Sequence, residues 1–584
     1  MARLELNGNT VAPGVGVGAV FVAMTTTTAN IPIRRIAPKD AAGAWELLDL
    51  ARSRALKRLE MIQATTAREL GLQDAAIYAA QAAVLQDPEA TSELRAWIQD
   101  DLLAPESAIQ ALLNKFGTLF EKLEGGDMKS WAADLTDPWN LVLRELLHEG
   151  LEHAKSDELG NLVLVAEELT PILVVSYPRE KVCAILCSRG GRYSHGAVLA
   201  RSFGIPTITG LPQIEEKVLS GERCIVFGDT GRVLIGATVA ETEDSLTLAA
   251  DRNHVREVMI AGAKEAGRTA DGTPVKIRVN IESPRDLDLF DIEMVNGVGL
   301  FRTEFVYMER PSFPSVQDQV EIYARVLERF PTKTVVFRTL DVGADKQLRY
   351  FKTPVEANPA LGWRGLRLSL QWPDLFYMQL QALHACRHLG KVNVMLPMVT
   401  TLDEVRRAKK MLEAIAGEGE LGIRFGVMIE VPAAAMALAD IVEEVDFISV
   451  GTNDLVQYLF AVDRDNSWVA DLYQPYHPAH LRVLRFIART CIAADKPVTV
   501  CGEMAGQAAG AFFLAGCGYT GLSMSPLFVP EIKALLRQVD IGVLRSSAAA
   551  AAQADNATEA YAILEETVAA AWQKVSESVE KHNT

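Results

Sequence analysis

From Val275 onward one pattern of apolar and polar positions repeats along the chain. A short apolar run, rich in β-branched residues, ends in a polar or charged side chain, and helix-forming sequence follows. Eight such runs are VKIRVNI, GVGLFRTEF, TVVFRTLD, VNVMLPM, FGVMIEVP, FISVGTND, PVTVCGEM and GLSMSP. Near-continuous apolar runs separated by helices are the mark of buried parallel strands. Eight βα units in about 250 residues predict a (β/α)8, or TIM, barrel. The N-terminal part is patterned differently. TVAPGVGVGAVFV, ending at Val22, reads as strand. From about Pro38 to His153, AAGAWELLDLARSRALKRLEMIQATTAREL and DAAIYAAQAAVLQ carry helical spacing, with Asp87-Pro88 and Asp137-Pro138 as punctuation. From Asn161 to Ile235 short apolar runs return (NLVLVAEELTP, KVCAILCSRGG, RCIVFGDTGRVLIG) between short helical pieces. The glycine-rich N-terminus is expected to join that later sheet, which makes the helices an insertion. A polar helical stretch from Ala240 to Glu265 reads as a linker, and an alanine-rich helical tail begins near Ala548. The expected layout is a multidomain α/β protein: an α/β domain over 1–25 and 154–238, an inserted helical domain over 26–153, a helical linker over 239–270, and a barrel domain over 271–584.

Composition agrees with several domains, since 584 residues exceed what one ordinary core holds. Apolar content of 49% and charged content of 23% are ordinary for a folded soluble chain. No apolar run reaches the roughly 18 residues that span a bilayer, and MARLELNGNTVAPGVGVGAV lacks the order of a signal peptide. The seven cysteines are scattered without Cys-x-x-Cys pairs, which leads us to expect a reducing, cytoplasmic setting. A net charge of −17 argues against general nucleic-acid binding, because phosphate contacts need a basic surface.

A barrel carries its chemistry at the C-terminal ends of its strands. Here those ends hold Arg302, Arg338, Glu430, Asn453, Asp454 and Cys501, a polar set that packing explains poorly. Arginine forks suit phosphate and carboxylate. With Arg364 on the third βα connection and Arg464 just after the sixth strand, they suggest a pocket for a small, multiply charged anion. Glu430 and Asp454 are either ion-pair partners of these arginines or holders of Mg2+ that also takes substrate oxygens. Cys501 is placed to exchange a proton, whereas the other six cysteines read as inert core thiols. His195 follows Gly190, Gly191, Arg192, Tyr193 and Ser194 and opens the helix-like HGAVLARSFG, with Ser194 as the expected N-cap and Gly204 and Pro206 marking its end. It is a helix-capping or core histidine, or a nucleophile. In a first turn the positive helix end favours the neutral imidazole and would stabilise an attached phosphoryl group. His477 and His480 read as structural or solvent-facing.

The stretch GGRYSHGAVLARSFGIPTITG resembles the phosphohistidine signature of the phosphoenolpyruvate-utilising enzymes. GLFRTEFVYMER, RTLDVGADK, NPALGWRGLR, GVMIEVPAAA, ISVGTNDLVQYLFAVDR, YQPYHP and CGEMAG resemble the barrel of the same family, in the same order along nearly the whole chain. Within it the nearest likeness is to the Enzyme I group of the bacterial phosphoenolpyruvate:sugar phosphotransferase system. The resemblance implies a reaction in which phosphoenolpyruvate phosphorylates a histidine, pyruvate leaves, and the phosphoryl group passes to the small carrier HPr or an HPr-like protein. It implies His195 as the phosphorylated residue and Arg302, Arg338, Asn453, Asp454 and Arg464 as ligands of phosphoenolpyruvate. Lys346 and Arg364 match further pocket positions. Glu430 and Asp454 would hold Mg2+, and Cys501 would protonate the enolate. It further implies a swivelling phosphohistidine domain, a carrier-binding helical insert and a barrel that forms a homodimer, with no nucleic-acid partner and no membrane insertion.

Two departures stand out. Tyr193 replaces the usual threonine before the Ser-His pair, and the insert carries KSWAADLTDPWN, with Trp131, Thr136, Pro138 and Trp139, where the group has a charged, arginine-bearing stretch. The carrier surface is therefore expected to differ. A pyruvate-phosphate dikinase or phosphoenolpyruvate synthase would need a large ATP-binding domain ahead of the histidine domain, where this chain has about 160 residues, mostly helical insert. A catalytically idle scaffold that binds phosphoenolpyruvate is the alternative from outside the enzymes.

Overall fold

The computed structural model describes residues 3–23, 33–69, 72–121, 128–147, 160–170, 173–174, 177–190, 195–282, 284–288, 290–308, 310, 312–343, 348, 350–351, 354, 356–417, 419–464, 469 and 472–582. Its contacts divide into two compact units, Met1–Asn253 and His254–Thr584.

The first unit holds an eight-stranded mixed sheet. Its strands are β1 Leu4–Asn7, β2 Asn9–Ala12, β3 Val15–Val22, β4 Leu162–Glu168, β5 Val182–Arg189, β6 Thr207–Thr209, β7 Arg223–Phe227 and β8 Arg232–Ile235, in the order β1-β8-β7-β3-β4-β5-β6-β2. β3 pairs in parallel with β4, Val20 opposite Val163, although the whole helical insert separates them in sequence. Both faces bury apolar side chains, so β4 and β5 read as continuous apolar runs.

The insert comprises α1 Ala41–Glu69, α2 Leu72–Leu85, α3 Pro88–Gln99, α4 Pro105–Glu121 and α5 Met128–Leu147. Leu48, Ala51, Ala55, Leu59 and Ile62 recur at helical spacing on α1 and are buried in the insert's core. Asp87 begins α3 by accepting the Glu89 N–H at 2.8 Å, with Pro88 in the first turn, where a missing N–H costs nothing. Asp137-Pro138 does not punctuate: α5 runs through Pro138. An interior proline costs about 3 kcal/mol. The full burial of Trp139 and Val142 beside it gives the packing that offsets this cost.

The second unit is a closed parallel barrel. Its strands are β9 Lys276–Ile281, β10 Gly297–Arg302, β11 Thr334–Arg338, β12 Lys391–Leu396, β13 Arg424–Ile429, β14 Phe447–Val450, β15 Val498–Val500 and β16 Gly521–Met524, and β16 pairs with β9 to close it. Leu300, Val336, Met395, Met428 and Phe447 pack inside the barrel with Cys501, while the alternate positions lie under the outer helices. Two of those helices start on reciprocal capping boxes, Ser315 with Asp318 and Thr401 with Glu404. Helix α6, His195–Ser202, lies in the first unit. Helix α7, Val239–Ala261, carries the chain from one unit to the next, and the tail forms helices Ile541–Ala551 and Ala557–His582. Among the described residues no helix is long and apolar enough to cross a membrane.

Candidate active site

Parallel pairing brings the strand ends to one level. Arg302 is in register with Arg338, and Arg338 with Met395. Because side chains alternate along a strand, Leu300 and Arg302, and Val336 and Arg338, share the inward face. The charged mouth therefore sits directly above the apolar interior.

Three carboxylates and two arginines form a buried network there. Arg338, 6% exposed, pairs with Glu304 and with Asp341 Oδ2 at 3.1 Å. Arg364, on the connection after β11, donates Nη2–H to Asp341 Oδ2 at 3.0 Å and to Asp454 Oδ2 at 3.4 Å, and Nη1–H to the Tyr458 hydroxyl at 3.2 Å. Burial alone would lower the pKa of both guanidiniums, but the carboxylates around each outweigh it and raise them above their ordinary value. They stay charged. Arg302 is more exposed and pairs with Glu282. The Nε atoms of Arg302 and Arg338 are buried without a hydrogen-bond partner, so each guanidinium keeps a donor for a further acceptor.

Glu430 sits at the end of β13, 2% exposed. Its Oε1 accepts the N–H of Met398 at 2.6 Å, and Met398 takes a left-handed φ of 55° at that turn. Burial first, then the charges of Asp454 and Asp341, push the Glu430 carboxyl up to about 8, against the pull of Arg338 and Arg364. Asp454 and Asn453 lie in the first turn of helix α8, Thr452–Phe460, which follows β14. Asn453 exchanges hydrogen bonds with Glu503: Nδ2–H to Oε1 at 3.3 Å, and the Glu503 N–H to Oδ1 at 3.1 Å. Arg464 is half-buried just beyond α8, its N–H reaching Gln457 Oε1 at 3.4 Å.

Cys501 follows β15, 5% exposed among apolar side chains. The Ser449 hydroxyl donates to its sulfur at 3.4 Å, and its thiol faces the Val450 carbonyl at 3.6 Å. Burial pushes the thiol up to about 11, so it holds its proton at neutral pH.

Sequence singles out Arg302, Arg338, Arg364, Glu430, Asn453, Asp454, Arg464 and Cys501; all but Arg464 lie in or beside this mouth, and Arg464 follows the far end of α8. Lys346, Arg192, Tyr193 and Ser194 lie outside the described residues, and so does the side chain of His195, whose backbone begins α6. His477 caps the helix Pro478–Ala493 through Nδ1, and His480 is fully buried with Nδ1 2.7 Å from the Pro475 carbonyl. Both are structural. Sequence reading missed Asp341, Glu304 and Tyr458. Asp341 had a signal, since RTLD sets it three residues beyond Arg338 at the same mouth.

The donor set fits a divalent cation. Glu304, Asp341, Glu430 and Asp454 outnumber Arg338 and Arg364, and burial first, then the charges of Asp454 and Asp341, keep Glu430 from ionising readily. Glu430 and Asp454 supply two hard oxygen donors, the number Mg2+ commonly takes from protein while keeping water and substrate oxygens. Among the described residues no group of three or more such side chains forms a ready-made cage.

The sequence matches family models for a PEP-utilising enzyme: the PEP-binding domain over 258–541, the N-terminal domain over 7–130 and the mobile domain over 160–231. A phosphoenolpyruvate-protein phosphotransferase of Lactococcus lactis subsp. cremoris is 36% identical over 574 residues, covering 96% of this chain and 99% of its own. One of Staphylococcus carnosus is 37% identical over 521 residues, covering 87% and 90%. An NMR solution structure of Enzyme I aligns with 42% of this chain and 99% of its own at 25% identity and a TM-score of 0.33.

Proposed function

The chain belongs to the phosphoenolpyruvate-utilising enzymes, among the phosphoenolpyruvate-protein phosphotransferases, and from that premise we propose how its residues divide the work. It is a transferase that moves a phosphoryl group from phosphoenolpyruvate to a protein histidine. We take that histidine to be His195. One of its ring nitrogens attacks phosphorus, the N–P bond forms, and the bond to the enol oxygen breaks. The electron pair stays on the enolate, whose methylene carbon takes the proton of the Cys501 thiol to give pyruvate. Solvent then reprotonates the thiolate.

Arg302, Arg338 and Arg464 bind the substrate's anionic groups, with Lys346, Asn453 and Arg364 around them. Phosphoryl transfer is mostly a matter of positioning and charge stabilisation, which buried, ion-paired guanidiniums supply without reorganising. The family uses a divalent metal. We assign Mg2+, held by Glu430 and Asp454, which when bound supplies positive charge to the phosphoryl oxygens. An HPr-type carrier takes the phosphoryl group from His195 and docks on the helical insert, residues 26–153. Residues 1–25 and 154–238 form the phosphohistidine domain, 239–270 the linker that lets His195 visit both partners, and 271–584 the barrel, through which a homodimer forms. A cytoplasmic location fits the free state of all seven cysteines.

The observation that carries this reading is the arginine, carboxylate and thiol set on one barrel mouth, inside a match to the PEP-binding domain. The test is incubation of the full chain with 32P-labelled phosphoenolpyruvate and Mg2+. We expect acid-labile label on the wild type and none on His195→Ala, with label passing to an HPr-like protein. Label taken from ATP and not from phosphoenolpyruvate would overturn the reading.

A further inference from the structure

The barrel interior changes character along its axis. At the C-terminal mouth lies the arginine and carboxylate network, and below it the apolar layer of Leu300, Val336, Met395 and Met428. At the opposite end, where the strands begin, the inward positions turn polar and basic. Lys276, Arg278 and Arg424, with Asn393 and Thr499, line a cavity of about 100 Å³, and no aspartate or glutamate is among its lining residues.

Among the described residues these three cations pair with no carboxylate, unlike those of the mouth. Arg278 rises from β9 into the barrel, and its Nε is buried without a hydrogen-bond partner. Burial, and then the charge of Arg424, pushes Arg278 below its ordinary pKa. Arg424 donates Nη2–H to the Asp446 carbonyl at 2.9 Å, while the Asp446 carboxylate accepts the Phe425 N–H at 2.8 Å. The neighbouring strand leaves Arg278 room, because a Cβ on Gly299 would stand 3.2 Å from the Arg278 Cβ and only 2.4 Å from the Ser523 hydroxyl. A buried guanidinium with an unmet donor costs free energy that a hydrogen-bonded anion returns. Simple core packing would fill this layer with branched apolar side chains instead.

We propose that the N-terminal end of the barrel is a second anion site, separate from the substrate mouth, and that it takes a small tetrahedral oxyanion of the inorganic phosphate class. Arg278 supplies a fork of donors from within the barrel, and Lys276 and Arg424 close over the anion from the rim. An anion bound only by the folded barrel also stabilises it by mass action.

Two measurements test this on the full chain. Crystals soaked in selenate should show anomalous density between Lys276, Arg278 and Arg424. Density confined to the arginines of the mouth would overturn the proposal. In solution, inorganic phosphate is titrated by calorimetry at constant ionic strength in chloride, with saturating phosphoenolpyruvate and Mg2+ and the His195→Ala chain, so that the mouth is filled without turnover. Lys276→Gln with Arg424→Gln, both at exposed positions and so safe for folding, should weaken phosphate at least about tenfold, since each change removes a charge-assisted hydrogen bond. Carried into the wild-type chain, the pair should leave KM for phosphoenolpyruvate unchanged. Undiminished phosphate affinity in the double variant, or no phosphate binding to the parent chain, would overturn it.

Discussion

Cys501 shows how a side chain's surroundings set its chemistry. Its environment is mostly apolar, so the protonated thiol is stable where an exposed cysteine would begin to ionise near its ordinary 9.0. Because the folded value is raised to about 11, the stabilising neutral form is fully present below pH 9, and its contribution is lost as pH rises through about 11. Alkylation of Cys501 by iodoacetamide should accordingly stay slow at pH 8 and accelerate only toward pH 11, followed by mass spectrometry of the modified peptide. Cys501→Ala should slow pyruvate formation by about 100-fold or more, the usual range for losing a general acid, with little change in KM. Asp341 has a different role. It touches both Arg338 and Arg364, so Asp341→Asn strips compensation from two buried cations. Breaking a buried pair costs about 3–5 kcal/mol. We expect a loss of that size in denaturant unfolding, together with weaker substrate binding.

Among the elements, the connections after the strands matter more than the strands. Helix α8 delivers Asn453 and Asp454 because β14 ends at Val450 and Gly451 and Thr452 turn the chain at once. Gly502, after β15, lies against that turn: a Cβ there would meet the Thr452 hydroxyl at 1.8 Å and the Thr452 nitrogen at 2.8 Å. Gly502→Ala should displace the first turn of α8, lowering stability by about 1–3 kcal/mol and turnover with it, as thermal melts and steady-state rates would show. Elsewhere on the barrel, Lys533 ties the segment after α7 to the segment before β10, its ammonium donating to the carbonyls of Ala263 at 2.5 Å and Met294 at 2.9 Å. Lys533→Met keeps the bulk but leaves two buried carbonyls without that donor. A loss of about 2 kcal/mol is expected from the unmet acceptors.

For the whole molecule, His195 belongs to the first unit and the barrel mouth to the second. The phosphoryl-accepting and substrate-binding functions should therefore separate by mutation. His195→Ala should abolish label uptake from phosphoenolpyruvate yet bind it with wild-type affinity in a calorimetric titration, whereas Arg338→Met should lose the binding itself. Much of this was legible beforehand. The barrel followed from eight apolar runs, and Arg302, Arg338, Glu430 and Cys501 stood out because each ends one. Glu304 does not stand out, since its meaning rests on Arg338, 34 residues away, and Asp341, though three residues beyond Arg338, also needs Arg364, 23 residues away. Proline in α5 misled for the same reason, because the core around Trp139 decides whether the helix can carry it.

Sequence alone determined what repeats locally: the strand period and the polar residue that closes each barrel strand. These depend on neighbours a few positions apart, so spacing is enough to read them. Only the tertiary structure decided which charges meet. Closing the barrel through β16 and β9 joins residues hundreds of positions apart. That closure balances the arginines of the mouth with carboxylates and, among the described residues, leaves Lys276, Arg278 and Arg424 at the other end paired with none. Coulomb energy depends on distance in space and on burial, and neither is written along the chain.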